Sequence, residues 1–232
     1  NGVASYSFYT KDTADWGWTA NELPTAETVQ SLSTKAIQYG CLGMAIGPGN
    51  LVIEAWLKNF FEAGTVTLSH DLNIRPALGF ERELELKRVL RLNAQSHIIK
   101  ASDADIEWLY GLNVRADLDD IASEWSTGKL VVITRGAEGV SLYRDGRRID
   151  VAGQRVNLVD TVGAGDTFMA NFLGELSQLD ALGGNPSSRL ARISDDQLAG
   201  AATVANAAAA IVCERTGCQP PTLAETRSRT QG

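Results

Sequence analysis

This sequence has few cysteines and few histidines, and its acidic residues outnumber its basic ones. It therefore offers little for a disulfide framework, a histidine metal site or a basic surface. The 232 residues include only three cysteines and two histidines, and the formal net charge is −7. No cysteine belongs to a Cys-x-x-Cys pair, so we expect reduced thiols, with a Cys213–Cys218 disulfide as the alternative. His70 and His97 have no partner at metal or triad spacing and are predicted to be structural. An acidic chain also lacks the basic face typical of proteins that bind nucleic acid.

Long apolar runs are absent as well. No apolar stretch reaches the roughly 18 residues that span a bilayer, and the sequence does not open with the charged and then apolar leader of a secreted protein. We therefore predict a soluble, cytoplasmic protein without a membrane partner. Hydrophobic residues still make up 44% of the chain, which is enough to bury a substantial core.

What the sequence does contain is an alternation of apolar strand-like segments with amphipathic helical segments. The predicted strands are 1–9, 36–46, 65–72, 96–100, 129–134, 139–143, 148–151 and 155–159. Helices are predicted after a cap at Thr25 and for 50–63, 80–94, 103–110, 117–126, 166–179 and 195–212. Residues 180–194 are expected to be a loose connection, and the last dozen residues a surface tail. With one clear hairpin at Asp145-Gly146, this alternation predicts an α/β sandwich with a mainly parallel sheet, which binds ligands at the carboxyl ends of its strands.

The most informative segment is the loop from Asp160 to Phe168, which follows a predicted strand and opens a helix. Gly163 and Gly165 allow a tight turn and the unobstructed approach of a ligand. The helix start is expected to present the unpaired N–H groups of Ala164, Gly165 and Asp166 to an anion, at the positive end of the helix dipole. A carboxylate at Asp166, beside such an anion hole, is suited to accept the proton of an attacking hydroxyl.

Two other phosphate-binding motifs do not fit this loop. The Gly-Lys-Ser/Thr of a P-loop is absent, and Phe168 occupies the third glycine position of a dinucleotide fingerprint. For Gly-Ala-Gly-Asp alone, the remaining alternative is a helix cap without a catalytic role.

The nine-residue string DTVGAGDTF resembles the second signature of the ribokinase-like, or PfkB-type, carbohydrate kinases. The resemblance extends along essentially the whole chain and implies a three-layer α/β/α sandwich with a small β lid. It implies that Asp166 is the catalytic base, that Gly163, Ala164 and Gly165 form the anion hole, and that ATP and Mg²⁺ are the cofactors. On this basis residues 1–22 are predicted to form a lid strand and a tryptophan loop, and residues 23–232 the nucleotide-binding and catalytic core.

Two further strand ends match motifs of the same family. Asp71-Leu72-Asn73-Ile74-Arg75 resembles the Asp-x-Asn-x-Arg of fructokinase-like members, in which Arg75 can fork onto phosphate oxygens and Asn73 can bond a hydroxyl or phosphate. The alternative is a solvated turn with an ordinary ion pair. Ser102 and Asp105 occupy the places where many relatives have Asn-x-x-Glu and organise magnesium. The alternative there is a serine helix cap followed by acidic first-turn residues.

Other positions resemble the family's nucleotide and cation sites. Thr134, Gly136 and Gly139 match its nucleotide-binding Thr-x-Gly-x-x-Gly, although a tight turn alone could use the same glycines. Asn206 resembles a residue that lies near the adenine. Asp160 resembles a position beside which some relatives bind a monovalent cation, for which K⁺ is the candidate here.

Resemblance to the fructokinase-like branch implies that the γ-phosphate of ATP is transferred to the primary hydroxyl of fructose, which gives fructose 6-phosphate. It also implies that residues 14–19, which include Trp16 and Trp18, follow the lid strand near the sugar. One alternative is a 2-keto-3-deoxygluconate kinase. Another is a truncated, non-catalytic module that binds sugar or nucleotide, because the sugar-binding motif that relatives carry upstream is not in this sequence. A homodimer formed through the lid is common in the family.

Overall fold

The computed structural model describes residues 9–11, 13–111 and 115–231, and in these residues six strands form one sheet. The strands lie side by side in chain order: β1 (Ala36–Gly40), β2 (Thr67–Asp71), β3 (Ile98–Ser102), β4 (Leu130–Thr134), β5 (Gly139–Arg144) and β6 (Arg147–Ala152). The first four strands are parallel to one another, whereas β4–β5 and β5–β6 are antiparallel. The mainly parallel sheet predicted from the sequence is confirmed.

Ten α-helices are found in the described part of the chain. They are α1 (Ala26–Ser31), α2 (Cys41–Ala45), α3 (Gly49–Ala63), α4 (Arg82–Ala94), α5 (Asp103–Tyr110), α6 (Arg115–Trp125), α7 (Ala164–Gln178), α8 (Pro186–Arg192), α9 (Asp195–Cys213) and α10 (Leu223–Gln231). Local signals set several of their ends. Thr25 and Ser194 cap α1 and α9 by accepting a hydrogen bond from the third residue of the helix, and left-handed Gly64 ends α3.

Successive residues of the central strands face opposite sides of the sheet and build two hydrophobic layers. Leu130 and Val132 of β4 pack with α7 and α9 on one side, and Val131 and Ile133 pack with α5 and α6 on the other. The three-layer α/β/α arrangement is therefore confirmed. Among the described residues only α9 has the length and composition of a membrane-spanning helix, and half of it is buried within the fold, as in the core helix of a soluble protein.

Two predicted strands are wrong. The apolar run 36–46 is a strand only to Gly40, and α2 begins at Cys41, because a short apolar run does not distinguish a buried strand from a buried helix. Residues 155–159 are not a strand. The amides of Val159 and Asp160 instead donate to the carbonyl of Cys213, 2.8 and 3.2 Å away, at the end of α9.

Two segments predicted to be irregular are helical. The connection 180–194 contains α8, which begins at Pro186, a residue suited to a first helical position. The last residues form α10, in which Thr222 and Glu225 bond each other's backbone amides and Thr226 is fully buried. All three cysteines are free, so the disulfide alternative is wrong. The predicted lid strand 1–9 lies, except for Tyr9, outside the described residues.

Candidate active site

The loop that the sequence singles out leads directly into α7. Gly163, with φ of 78°, is the residue before the helix, and a Cβ atom there would collide with the Sγ atom of Cys218. The amide of Ala164 donates to the carbonyl of Thr161 at 3.2 Å, so its predicted role as a third unpaired donor is wrong. The amides of Gly165 and Asp166 have no acceptor within the described residues. These two N–H groups are the unpaired donors at the start of the helix, the kind of position at which proteins bind anions.

Asp166 has the exposure that a proton acceptor needs. Its side chain is exposed in the first turn of α7 and makes no hydrogen bond or ion pair with another described residue. Its charge acts on two groups at the ends of neighbouring strands, because it contributes to raising the pKa of Asp71 and that of Cys41. The carboxylate therefore lies at the carboxyl edge of the sheet, where α/β proteins bind ligands.

A cavity of about 560 Å³ opens at this edge, a size suited to a small ligand. Ten of the predicted site residues line it: Asn73, Arg75, Ser102, Asp105, Thr134, Gly136, Gly139, Ala164, Gly165 and Asn206. Gly163, Asp166 and Asp160 are outside its lining. A larger groove of about 890 Å³ between α1 and α3 holds no predicted site residue and no charged side chain, so it does not compete as a phosphate site.

The far end of the cavity is built by the β4–β5 turn and α9. Gly136 and Gly139 both have positive φ, and a Cβ at Gly139 would strike the backbone of β6, so glycine is required there. The side-chain amide of Asn206 donates to the carbonyl of Ala152 at 3.2 Å, which fixes it against β6. Leu158, Phe168 and Ala209 add apolar wall. The surroundings suit a planar, partly apolar group.

Arg135 anchors this turn from the opposite side of the sheet and was not identified from the sequence. Its guanidinium is buried and donates to Ser141 Oγ at 2.8 Å, to Tyr143 Oη at 3.0 Å and to Asp119. An arginine between two cavity-lining residues, Thr134 and Gly136, was the only signal available. The network holds the backbone that carries those residues.

Ser102 and Asp105 form the helix cap that the sequence left open as an alternative. The Asp105 carboxylate accepts the amides of Ser102 and Ile74, each at 2.8 Å, and is 6% exposed. No group of three or more metal-ligating side chains is found in the described ranges. Mg²⁺ commonly keeps several waters and takes one or two carboxylates plus substrate phosphates. Asp105, with spare lone pairs on both oxygens, fits such an ion as a partner of its waters.

Asp160 ties the start of the loop to a distant segment. Its two oxygens accept the amides of Val162 at 3.1 Å and Gly217 at 2.9 Å, and these backbone hydrogen bonds lower the pKa of its carboxyl group. The cation site suggested for this residue stays a prediction.

The segment from Asp71 to Arg75 brings two predicted site residues to the cavity. Asn73 has a positive φ of 42°, and Arg75 donates to the carbonyl of Ile74 at 3.1 Å.

The sequence motifs assign no role to Asp71 or Lys100, which the structure brings together. Their side chains form an ion pair of 3.0 Å between Lys100 Nζ and Asp71 Oδ1, at exposures of only 6% and 8%. Burial raises the pKa of Asp71 to about 6, although Lys100 acts in the opposite direction. The signal available was a lysine inside the otherwise apolar strand HIIKA.

Comparison with known proteins agrees with this geometry. The model of the pfkB family carbohydrate kinases matches residues 6–225. A fructokinase of Rhizobium leguminosarum bv. trifolii is 39% identical over 178 residues, which are 76% of this chain and 52% of that protein, so the chain spans about half the length of this relative.

Solved structures share the fold. Fructokinase from Vibrio cholerae O395, in its fructose-, ADP- and calcium-bound form, has a TM-score of 0.79 at 22% identity, over 97% of this chain and 68% of that one. Ribokinase from Thermotoga maritima has a TM-score of 0.62 at 19% identity, over 94% and 63%. The ribokinase-like fold predicted from the sequence is confirmed.

Proposed function

Because the chain belongs to the pfkB family of carbohydrate kinases, we propose that it transfers the γ-phosphate of ATP to the primary hydroxyl of fructose. The observation that carries the proposal is the exposed carboxylate of Asp166 next to two unpaired amides at the start of α7. A phosphoryl group held by those amides would lie beside the base that accepts the proton of its attacker.

The cavity offers ATP a continuous path. The adenine would lie toward Asn206 and the apolar wall, and the triphosphate would run past Thr134 and Gly136 to the amides of Gly165 and Asp166. Arg75, which lines the same cavity, would add positive charge near the transferred group. Mg²⁺, with Asp105 as a partner of its waters, would supply charge neutralisation between the phosphates.

In the reaction the sugar oxygen forms a bond to the γ-phosphorus while the bond from that phosphorus to the β–γ bridging oxygen breaks. ADP carries away the electron pair of the broken bond, and the hydroxyl proton moves to the carboxylate of Asp166. The amides of Gly165 and Asp166 stabilise the charge spread over the phosphoryl oxygens without having to reorient, because the helix holds them in place.

Fructose is the proposed acceptor for two reasons. The Rhizobium relative is named a fructokinase, and residues 71–75 carry the Asp-x-Asn-x-Arg pattern. The predicted tryptophan loop also packs onto the core, since a Cβ at Gly49 would crowd the backbone of Trp16 and Trp18.

Four further features of the chain stay predictions. They are a cytoplasmic location, a homodimer, K⁺ binding beside Asp160, and the lid role of residues 1–22.

The test is ADP release from ATP and Mg²⁺ with a panel of fructose, 2-keto-3-deoxygluconate, ribose and adenosine. We expect the highest kcat/KM with fructose, and a product that phosphoglucose isomerase accepts, which identifies the 6-phosphate. A higher kcat/KM with 2-keto-3-deoxygluconate would refute fructose as the substrate but would still support kinase activity. ATP binding without ADP release on any acceptor would refute the kinase and favour a binding module.

A further inference from the structure

A buried ion pair lies against the phosphate-binding start of α7. Asp71 and Lys100 are direct neighbours in the β2–β3 register, so both side chains leave the sheet on the same face at its carboxyl edge. Lys100 Nζ is 3.0 Å from Asp71 Oδ1. Lys100 also lines the 560 Å³ cavity, together with Gly165 and Arg75.

The position of the ammonium is fixed closely by Gly165. A Cβ atom on that residue would lie 3.1 Å from Lys100 Nζ, so the ammonium rests directly on the first turn of α7. Lysine has three N–H donors, and within the described chain only Asp71 accepts one of them. The other two donors have no acceptor in the described residues, and the ammonium that carries them lies next to Gly165, whose own amide is unpaired.

A purely structural role explains this pair poorly. Each buried ion costs several kcal/mol of desolvation, and apolar residues of similar volume are often as stabilising as a buried pair. A lysine aimed at an anion site by its carboxylate has a chemical use, because phosphate oxygens accept charge-assisted hydrogen bonds.

We propose that Lys100, oriented by Asp71, is a further catalytic residue whose ammonium contacts the phosphate oxygens that also bind the amides of Gly165 and Asp166. The inference rests on the proposed function for its substrate. Asp71 is then a positioning residue, and a Cβ atom at Gly165 would press on the ammonium.

The test compares three variants by calorimetric titration with ATP, inorganic tripolyphosphate and adenosine, and by steady-state kinetics. Lys100→Met keeps the length of the side chain and removes its charge. Lys100→Arg keeps the charge. The double variant Lys100→Met/Asp71→Leu removes both charges and leaves no buried ion alone, which keeps the test valid if the single variant folds poorly.

We expect Lys100→Met to weaken ATP and tripolyphosphate binding about 10- to 100-fold, the range for a hydrogen bond to a charged group, and to leave adenosine binding unchanged. Lys100→Arg should recover part of the tripolyphosphate affinity. The double variant should regain the wild-type melting temperature but not the phosphate affinity. A structural role would predict that affinity returns with stability, and that result would overturn the proposal.

A matched control is the buried ion pair of Arg88 and Glu85 on α4, which lies outside the cavity. Arg88→Met should lower the melting temperature and leave tripolyphosphate affinity unchanged. Wild-type tripolyphosphate affinity in Lys100→Met would refute the role of Lys100 even if the protein phosphorylates fructose. Conversely, loss of that affinity in a protein that phosphorylates no sugar would support the phosphate contact and refute the proposed function.

Discussion

Replacing Asp166 with asparagine removes the proposed base with almost no change in side-chain volume. General-base catalysis contributes about 10²–10⁴ in rate, which is about 2.7–5.4 kcal/mol in the barrier. We therefore expect kcat to fall by at least a hundredfold. ATP affinity should be unchanged or slightly higher, because a negative charge beside the phosphates is lost.

Folding should hardly be affected, because the side chain is exposed and has no partner in the described chain. What is lost is the attraction of a first-turn carboxylate to the helix dipole, about 0.3–1 kcal/mol, or roughly 1–4 °C in melting temperature. The predicted catalytic effect is thus several times larger than the structural one. The two are separable by experiment.

The assay is ADP release at saturating ATP and fructose, with calorimetric titration of ATP and a thermal melt on the same preparations. Asp196→Asn is the matched control, since Asp196 is an exposed acidic residue in the first turn of α9. It should show the same small change in melting temperature and wild-type kcat. If Asp166→Asn retained more than a tenth of the wild-type kcat, Asp166 would not be the base.

Three further predictions follow from single residues. Gly163→Ala should lower kcat at least tenfold in the ADP assay, since its Cβ would strike Cys218, whereas Gly174→Ala, in open space on α7, should add about 0.5–1 kcal/mol of stability in a urea titration and leave kcat unchanged. His70 is fully buried with its pKa lowered to about 4 by desolvation, so only the unfolded chain gains this proton between about pH 6.5 and 4. The free energy of unfolding should fall by up to about 3 kcal/mol over that range, and His70→Gln should flatten this part of its pH profile. Arg135→Lys keeps the charge but loses the forked hydrogen bonds, so the KM for ATP should rise several-fold while that for fructose stays constant.

Most of the fold could be predicted from the sequence because its boundaries coincide with local chemistry. The apolar strand before Thr134, the Asp-Gly hairpin and the glycine after α3 each give one local interpretation, and the structure follows all three. The predicted secondary structure was wrong where tertiary contacts, and not the local sequence, determine the conformation. Residues 41–45 are as apolar as a strand, and the amides of Val159 and Asp160 find their acceptor at Cys213, far away in sequence.

The site shows the same division. Most residues that line the cavity could be named because they lie in short motifs that resemble those of the family. The amide of Ala164 could not be excluded as a donor, because its acceptor depends on how Thr161 turns. The pairing of Asp71 with Lys100 depends on strand register, which neither residue encodes alone.

The hydrogen bond from the Gly217 amide to the carboxylate of Asp160 limits when this loop can form during synthesis of the chain. The partners are 57 residues apart, so this hydrogen bond cannot form while the segment containing Gly217 is still inside the ribosome. At about 5–20 residues per second, Gly217 emerges from the ribosome roughly 3–11 s after Asp160 does. All six strands of the sheet, the last of which ends at Ala152, are therefore made before the segment that holds this loop in place.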